Sequence, residues 1–161
     1  MLFRSNVATE LLLRWLRHAD AFAAMVLMFQ KEVAARLAAR PGSGAYGRLS
    51  VAAQWRCEVR ALFDIAPSAF VPPPKVYSTV VGLVPRATPL APAEPAVLER
   101  VTAAAFGQRR KMLRASLRTL GVDAAALLDR AQIVPTRRAE ELSVEEFCAL
   151  ARAFSDLRAA A

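Results

Sequence analysis

Runs with the spacing of β-strands occur only in the first 85 of the 161 residues, and everything beyond Pro95 repeats with the spacing of helices. That asymmetry restricts the chain to a sheet-containing part followed by an all-helical one. The run Ala24-Met-Val-Leu-Met-Phe29 is short, continuous and apolar, which predicts a central parallel strand buried on both faces. Cys57, Val59, Ala61, Phe63 and Ile65 alternate with Glu58, Arg60 and Asp64, so a second strand is expected to end at Pro67. The β-branched run over residues 76–84 predicts a third.

Between the strands the helical period returns. Val7, Leu11, Leu12, Trp15 and Leu16 place an amphipathic helix over residues 6–17, with Asn6 as a candidate cap. A second helix is expected over 30–40, stopped by Pro41-Gly42, and a shorter one over 47–55. Residues 85–95 are rich in proline and alanine, show no period and read as a linker. A boundary near residue 90 therefore divides a sheet-containing portion, 1–90, from a helical subdomain, 91–161. Helices are predicted there over 96–120 ending at Gly121, and over 123–130, 137–141 and 143–160. The last opens on Ser143-Val-Glu-Glu146, a capping box in which serine and glutamate satisfy each other's backbone donors.

A hydrophobic content of 55% excludes a disordered chain. The longest apolar stretch, Ala21 to Phe29, falls short of the roughly 20 residues that span a bilayer. The N-terminus lacks the zones of a signal peptide, and a cytoplasmic location is expected. Cys57 and Cys148 lie far apart inside apolar patterns, which predicts buried, reduced thiols and no metal knuckle. The net charge is +8, and 19 of the 22 cations are arginine, whose planar fork suits phosphate. A GC-rich genome produces the same arginine and alanine excess, so the position of the charge has to decide.

Gly42-Ser-Gly-Ala-Tyr-Gly47 spells a dinucleotide loop, and Asp64 sits where a ribose-binding acid would follow. A helix precedes this loop where the fingerprint needs a strand, so a flexible loop is the better reading. His18 is the only histidine, which rules out a triad or a histidine-rich metal site within the chain. Glu140, Glu141, Glu145 and Glu146 read as helix-terminal charge. Arg109, Arg110, Lys111, Arg114 and Arg118 put five cations in ten residues with no acid among them. On the predicted helix Arg110, Arg114 and Arg118 share one face, opposite Phe106, Leu113, Leu117 and Leu120, and this ridge is expected to meet phosphate. In Ser68-Ala-Phe70-Val-Pro-Pro-Pro-Lys75 three prolines stiffen a loop. That loop either presents Phe70 as a stacking platform, with Lys75 on a phosphate, or is pinned by Phe70 in the core.

Five motifs, in order and spacing, resemble the C-terminal half of the small-subunit (16S) ribosomal RNA adenine dimethyltransferases. They are Gln30-Lys-Glu-Val33, Tyr46-Gly-Arg-Leu-Ser-Val51, Ala69-Phe-Val-Pro-Pro-Pro-Lys-Val76, Phe106-Gly-Gln-Arg-Arg-Lys-Met-Leu113 and Arg138-Ala-Glu-Glu-Leu-Ser143. The likeness runs from about Asn6 to Phe154. The large-subunit adenine methylases that confer macrolide resistance and the mitochondrial transcription factors share the fold, but the triple proline with Lys75 and the Tyr46–Ser50 run point to the small-subunit enzymes.

The resemblance implies an α/β fold: the C-terminal part of a Rossmann-like class I methyltransferase sheet, then a helical RNA-binding subdomain. It implies S-adenosylmethionine as methyl donor, and as substrate two adjacent adenines in a helix-45 hairpin loop of the small-subunit RNA in a pre-30S particle. Phe70 would stack on the flipped-out adenine, since an exocyclic amine must leave the helix to reach a methyl group. Arg48, Lys75, Arg109, Arg110, Lys111, Arg114 and Arg118 would hold the RNA. The family's glycine-rich cofactor loop, acidic ribose-binding residue and Asn-Leu-Pro-Tyr tetrapeptide all precede its counterpart of Asn6, and Met1-Leu-Phe-Arg-Ser5 stands in the tetrapeptide's place. No catalytic or cofactor-binding residue of the family is therefore retained. The chain alone is expected to be inactive and to self-associate through the edge of the strand at 24–29. The alternative is a non-catalytic RNA-binding module.

Overall fold

The computed structural model describes residues 6–160, with side chains from residue 8 onward. Residues 1–5 and the side chain of Asn6, to which the sequence assigns a cap, lie outside the described residues. Helix α1 (Asn6–Leu16) leads through a single 3-10 turn (Ala19–Ala21) into β1 (Met25–Gln30), which passes directly into α2 (Lys31–Leu37). Helix α3 (Arg48–Arg56) and β2 (Cys57–Ile65) follow without a break, and β3 (Ser78–Pro85) completes the sheet.

The strand order is β1-β3-β2, with β3 antiparallel to both neighbours. β1 and β2 therefore run parallel to each other without touching. The expectation of a central parallel strand at 24–29 is corrected on both counts: β1 is antiparallel to its one partner and lies at an edge of the described sheet. It is also buried on one face only. Met25 and Phe29 are covered, whereas Val26 is 67% exposed. The apolar run misled because it contains no polar residue to mark the open face.

Leu12 and Leu16 from α1, Val33 and Leu37 from α2 and Ala53 from α3 pack on Met25, Phe29, Cys57, Val81 and Leu83. All three helices thus cover the same side of the sheet. Helix α2 stops at Leu37, three residues before the predicted end, because side chains of α3 take its last carbonyls. Ser50 Oγ donates to Arg36 O, and Gln54 Nε2 donates to Leu37 O at 2.9 Å.

A second apolar cluster joins Tyr46, Val51 and Trp55 to Leu98, Val101, Leu113, Leu127, Phe147, Leu150 and Phe154. Helix α3 is common to both clusters. The connection after β3 is not a free tether: Arg86 N donates to Arg56 O at 2.8 Å, Leu90 N to Trp55 O at 2.9 Å, and Trp55 Nε1 to Ala91 O at 2.8 Å. The first two occupy carbonyls that the end of α3 leaves unpaired, and the third ties the Trp55 indole to the connection itself.

Beyond it lie α4 (Pro95–Gly107), α5 (Leu113–Ser116) with a 3-10 turn (Leu117–Leu120), α6 (Ala124–Arg130), another 3-10 turn (Ala139–Glu141) and α7 (Val144–Ala159). The capping box of α7 is present, with Glu146 N donating to Ser143 Oγ at 3.2 Å and Ser143 N to Glu146 Oε2 at 2.7 Å. Gly121, at φ +77°, ends the 3-10 turn in the left-handed region. Two predicted helices are corrected. The one expected over 96–120 breaks at Gln108, so the cation run lies on a turn followed by short helical pieces. Of the helix expected over 137–141, only the 3-10 turn exists. Glycine at 107 and like charges four residues apart at Arg110 and Arg114 both disfavour a continuous helix, and Met112 leaves it to bridge to Arg138.

Candidate nucleic-acid interface

Three segments distant in sequence form one frame. Gly42 N donates to Glu140 O at 2.7 Å, binding the glycine loop to the 3-10 turn before α7. Leu113 N donates to Arg137 O at 2.8 Å and Arg114 N to Pro135 O at 3.2 Å, binding the cation turn to the same segment. Arg109 closes the triangle, with Nε on Glu140 Oε2 at 3.0 Å and a terminal nitrogen on Gly44 O at 2.7 Å. The Gly42–Gly47 loop, expected to be flexible, is therefore pinned at both ends. Its Tyr46 is fully buried, and its ring meets Phe106, which packs on Phe147. Burial pushes the Tyr46 hydroxyl well above its ordinary value, so it stays protonated.

Arg137 anchors this frame to α7 through both carboxylate oxygens of Glu146, and also donates to Glu141 O of the 3-10 turn at 2.6 Å. The hydrogen bond from Arg137, helped by the Ser143 backbone, holds the Glu146 carboxyl below its ordinary value of 4.5, although burial acts the other way. A depressed carboxylate stabilises the fold above the usual carboxylate range, and that stability is lost as pH falls through the lowered value. Glu146→Gln is therefore expected to lower the melting temperature near neutrality and to converge on the parent chain as pH falls through the carboxylate range, so that its acid limb is flatter. An acid limb as steep as that of the parent chain would sink this assignment.

With Arg109 engaged inside the frame, the remaining cations face outward. Arg110, Lys111, Arg114 and Arg118 are exposed, and none has an ion-pair or hydrogen-bond partner for its side chain among the described residues. The bridge from Met112 brings exposed Arg138 alongside, an addition that sequence spacing could not supply because it depends on a contact across 26 positions. The acids read as helix-terminal charge divide in role: Glu140 and Glu146 each neutralise a frame arginine, and Glu141 accepts from the Arg138 backbone at 3.0 Å.

The other candidates stand apart. Arg48 is exposed on the first turn of α3, where it lines a groove of about 710 Å³ between α1, α3 and α4 with Leu13, Trp55 and Leu98. Phe70 and Lys75 lie on the loop between β2 and β3. Phe70 is half-buried at the end of a 3-10 turn (Pro67–Ala69), followed by fully exposed Val71 and exposed Lys75. The base of that loop is fastened by Asp64, whose oxygens accept from Lys31 Nζ and Thr79 Oγ1, both at 2.6 Å. These bonds hold the Asp64 carboxyl below its ordinary value and raise Lys31 above its own. No hydrogen bond or ion pair among the described residues joins this loop to the cation turn.

A scan of family models matches residues 4–156 to "Ribosomal RNA adenine dimethylase", two residues further at each end than the motifs indicate. The chain belongs to the ribosomal RNA adenine dimethylase family. Proteins named ribosomal RNA small subunit methyltransferase A from Paramagnetospirillum magneticum and Rhodospirillum rubrum are each 68% identical over 148 residues, which is 92% of this chain and 52% and 51% of theirs. The chain thus spans about half the length of these relatives. Among solved structures, a dimethyladenosine transferase from Plasmodium falciparum shares the fold at a TM-score of 0.78 and 23% identity, over 98% of this chain and 66% of that one. The 23S rRNA methyltransferase ErmE shares it at 0.57 and 24%, over 91% and 61%. The α/β methyltransferase fold with its helical extension is therefore that of the family.

Neither the glycine loop nor Asp64 is built to take S-adenosylmethionine. The glycine loop follows a helix, its Gly44 carbonyl is taken by Arg109, and Gly47 N is taken by Ser50 Oγ at 3.0 Å. Asp64 has both oxygens engaged. The two cysteines are free and buried, and no group of three potential metal ligands is present among the described residues. No helix there is long and apolar enough to cross a membrane.

Proposed function

We propose that this chain is the RNA-holding and base-presenting part of a small-subunit ribosomal RNA adenine dimethyltransferase. The observation that carries the reading is the group of unpaired cations Arg110, Lys111, Arg114 and Arg118 on a frame whose own acids are already consumed by Arg109 and Arg137. Such cations can release counterions from an RNA backbone without first breaking an ion pair of their own. The names of its relatives supply the RNA class, small-subunit ribosomal RNA, and the family supplies the reaction, dimethylation of adenine. The whole enzyme takes its methyl group from S-adenosylmethionine and works in the cytoplasm on the ribosomal precursor. This chain's residues grip the strand, with Lys75 and Arg48 as outlying phosphate contacts and Phe70 as the stacking surface for the extruded base. The sheet-containing portion, 1–90, carries the base platform, and the helical portion, 91–161, the phosphate grip.

The test is binding of the purified chain to a hairpin from the 3′ end of small-subunit RNA. Base–aromatic stacking is worth about 1–3 kcal/mol, so Phe70→Ala is expected to weaken binding about 5- to 150-fold with the salt dependence unchanged, because no charge is lost. Unaltered affinity would make Phe70 a loop anchor only. The isolated chain, mixed with labelled S-adenosylmethionine and the hairpin, is expected to bind RNA and transfer no methyl group. Measured transfer would overturn that part of the reading. The isolated chain also self-associates on this reading, and a monomer by light scattering at high concentration would refute it.

A further inference from the structure

The loop that carries Phe70 has almost no internal structure. Residues 66–77 join β2 to β3, and the hydrogen bonds inside them, among the described residues, are those of the 3-10 turn: Ala69 N to Ala66 O at 3.1 Å and Phe70 N to Pro67 O at 3.2 Å. From Val71 to Val76 every residue is exposed, and none has a hydrogen-bond or ion-pair partner among the described residues. Pro72, Pro73 and Pro74 each fix a backbone torsion, so the segment bends little within itself. A stiff strap with free flanks points where its two roots direct it.

Lys31 touches both roots. It is the first residue of α2 and follows β1 directly. At the root that leads into β3, its backbone N donates to Tyr77 O at 2.9 Å, and its ammonium stands 5.6 Å from the centroid of the Tyr77 ring. At the root that leaves β2, its Nζ donates to Asp64 Oδ2 at 2.6 Å. β3 separates β1 from β2, so this ion pair reaches over the central strand. The register sets Asp64 opposite Thr79, whose buried hydroxyl donates to the other carboxylate oxygen at 2.6 Å. Lys31 and Asp64 are both partly exposed, so their pair adds little to global stability. What it restrains is local, the separation of the two ends from which the loop springs.

We propose that Lys31 and Asp64 are positioning residues for the base platform: their ion pair across β3 sets the two roots of the 66–77 loop, and thereby the place where Phe70 presents its ring to an extruded base. This role rests on the reading of Phe70 as the stacking surface. A ring held in place before the base arrives need not be immobilised on binding, which strengthens the complex without adding a contact. The role also has a sign that charge alone cannot mimic. Removing a carboxylate from the neighbourhood of a phosphate strand tightens binding by Coulomb's law, whereas loosening the loop weakens it. Asp64→Asn separates the two cleanly, because the amide oxygen still accepts from Thr79 while the amide nitrogen faces Lys31 and ends the ion pair.

The experiment is a double-mutant cycle in the full 161-residue chain, read as affinity for the small-subunit RNA hairpin across a salt series and as melting temperature. Asp64→Asn is expected to weaken binding about 3- to 10-fold, the cost of immobilising a side chain at binding instead of before it. Its melting temperature should fall by less than about 4 °C, as befits an exposed pair. In the Phe70→Ala background the same substitution should no longer weaken binding. Asp64→Glu, which keeps a carboxylate for Lys31, should bind more tightly than Asp64→Asn. Lys31→Met should weaken binding with the salt slope unchanged; a slope lower by about 0.7–0.9 would make Lys31 a direct phosphate contact and overturn the role. Tighter or unaltered binding by Asp64→Asn would also overturn it, as would equal weakening with and without the Phe70 ring. Unaltered affinity in Phe70→Ala alone would remove the platform reading and this role with it, whereas weakening in Phe70→Ala without weakening in Asp64→Asn would remove this role only.

Discussion

Alanine at Arg110, Lys111 and Arg114 together is expected to weaken hairpin binding about 100- to 500-fold at 0.1 M salt, with the loss shrinking toward 1 M. The estimate follows from counterion release, in which each phosphate contact contributes about 0.7–0.9 to the slope of log affinity against log salt. Three lost contacts therefore lower the slope by about 2–3. The three side chains are exposed and lack internal partners, so their removal leaves the fold intact. Arg109→Ala should act differently. Its guanidinium is committed to Glu140 and to the Gly44 carbonyl, so the variant should lower the melting temperature and reduce affinity by loosening the frame, with little change in salt slope. An Arg109→Ala variant that flattens the slope as much as Arg110→Ala would show that this residue leaves the frame to meet RNA.

The second large effect is on stability. Phe147 is fully buried in the helical cluster, its ring centroid 5.4 Å from that of Phe106, which in turn stands 6.1 Å from Tyr46. This row of three rings joins α7, α4 and the glycine loop. Phe147→Ala removes the α7 end of that row and leaves a cavity between elements already tied by hydrogen bonds, so the site cannot collapse. The expected cost is about 3–5 kcal/mol, or roughly 6–20 °C in melting temperature for a chain of this size. Phe63→Ala, at a position 59% exposed, should shift it little. A comparable fall in both variants would mean that the sheet face is covered in solution.

Much of this fold is legible in local sequence. The strand at 57–65, the cap of α7 at Ser143 and the left-handed stop at Gly121 each depend on residues within a few positions and each stands where expected, but the register shift between Ala61 and Phe63 breaks the strand's period of two and turns Phe63 to the open face beside Val80. The five motifs placed the chain in its family. Their order along the chain is a one-dimensional property, and the family model reads the same property. The cation run was legible as charge but not as shape. A helix was the economical reading of alternating apolar and basic residues, and it fails because Met112 bridges to Arg138 and Leu113 donates to Arg137, contacts that no local period encodes.

By itself, then, the sequence determined where the three strands and most of the helices lie, which residues are cations without neighbouring acids, and which family the motifs belong to, because these depend on side chains and spacing alone. The tertiary structure decided that Arg109 is spent inside the frame while Arg110, Lys111 and Arg114 are not, and that β1 stands at an edge with one bare face. Both outcomes depend on which groups meet across long stretches of chain: a guanidinium held by Glu140 from 31 residues away is no longer available to phosphate, and a strand is interior or edge only through the neighbours that pair with it.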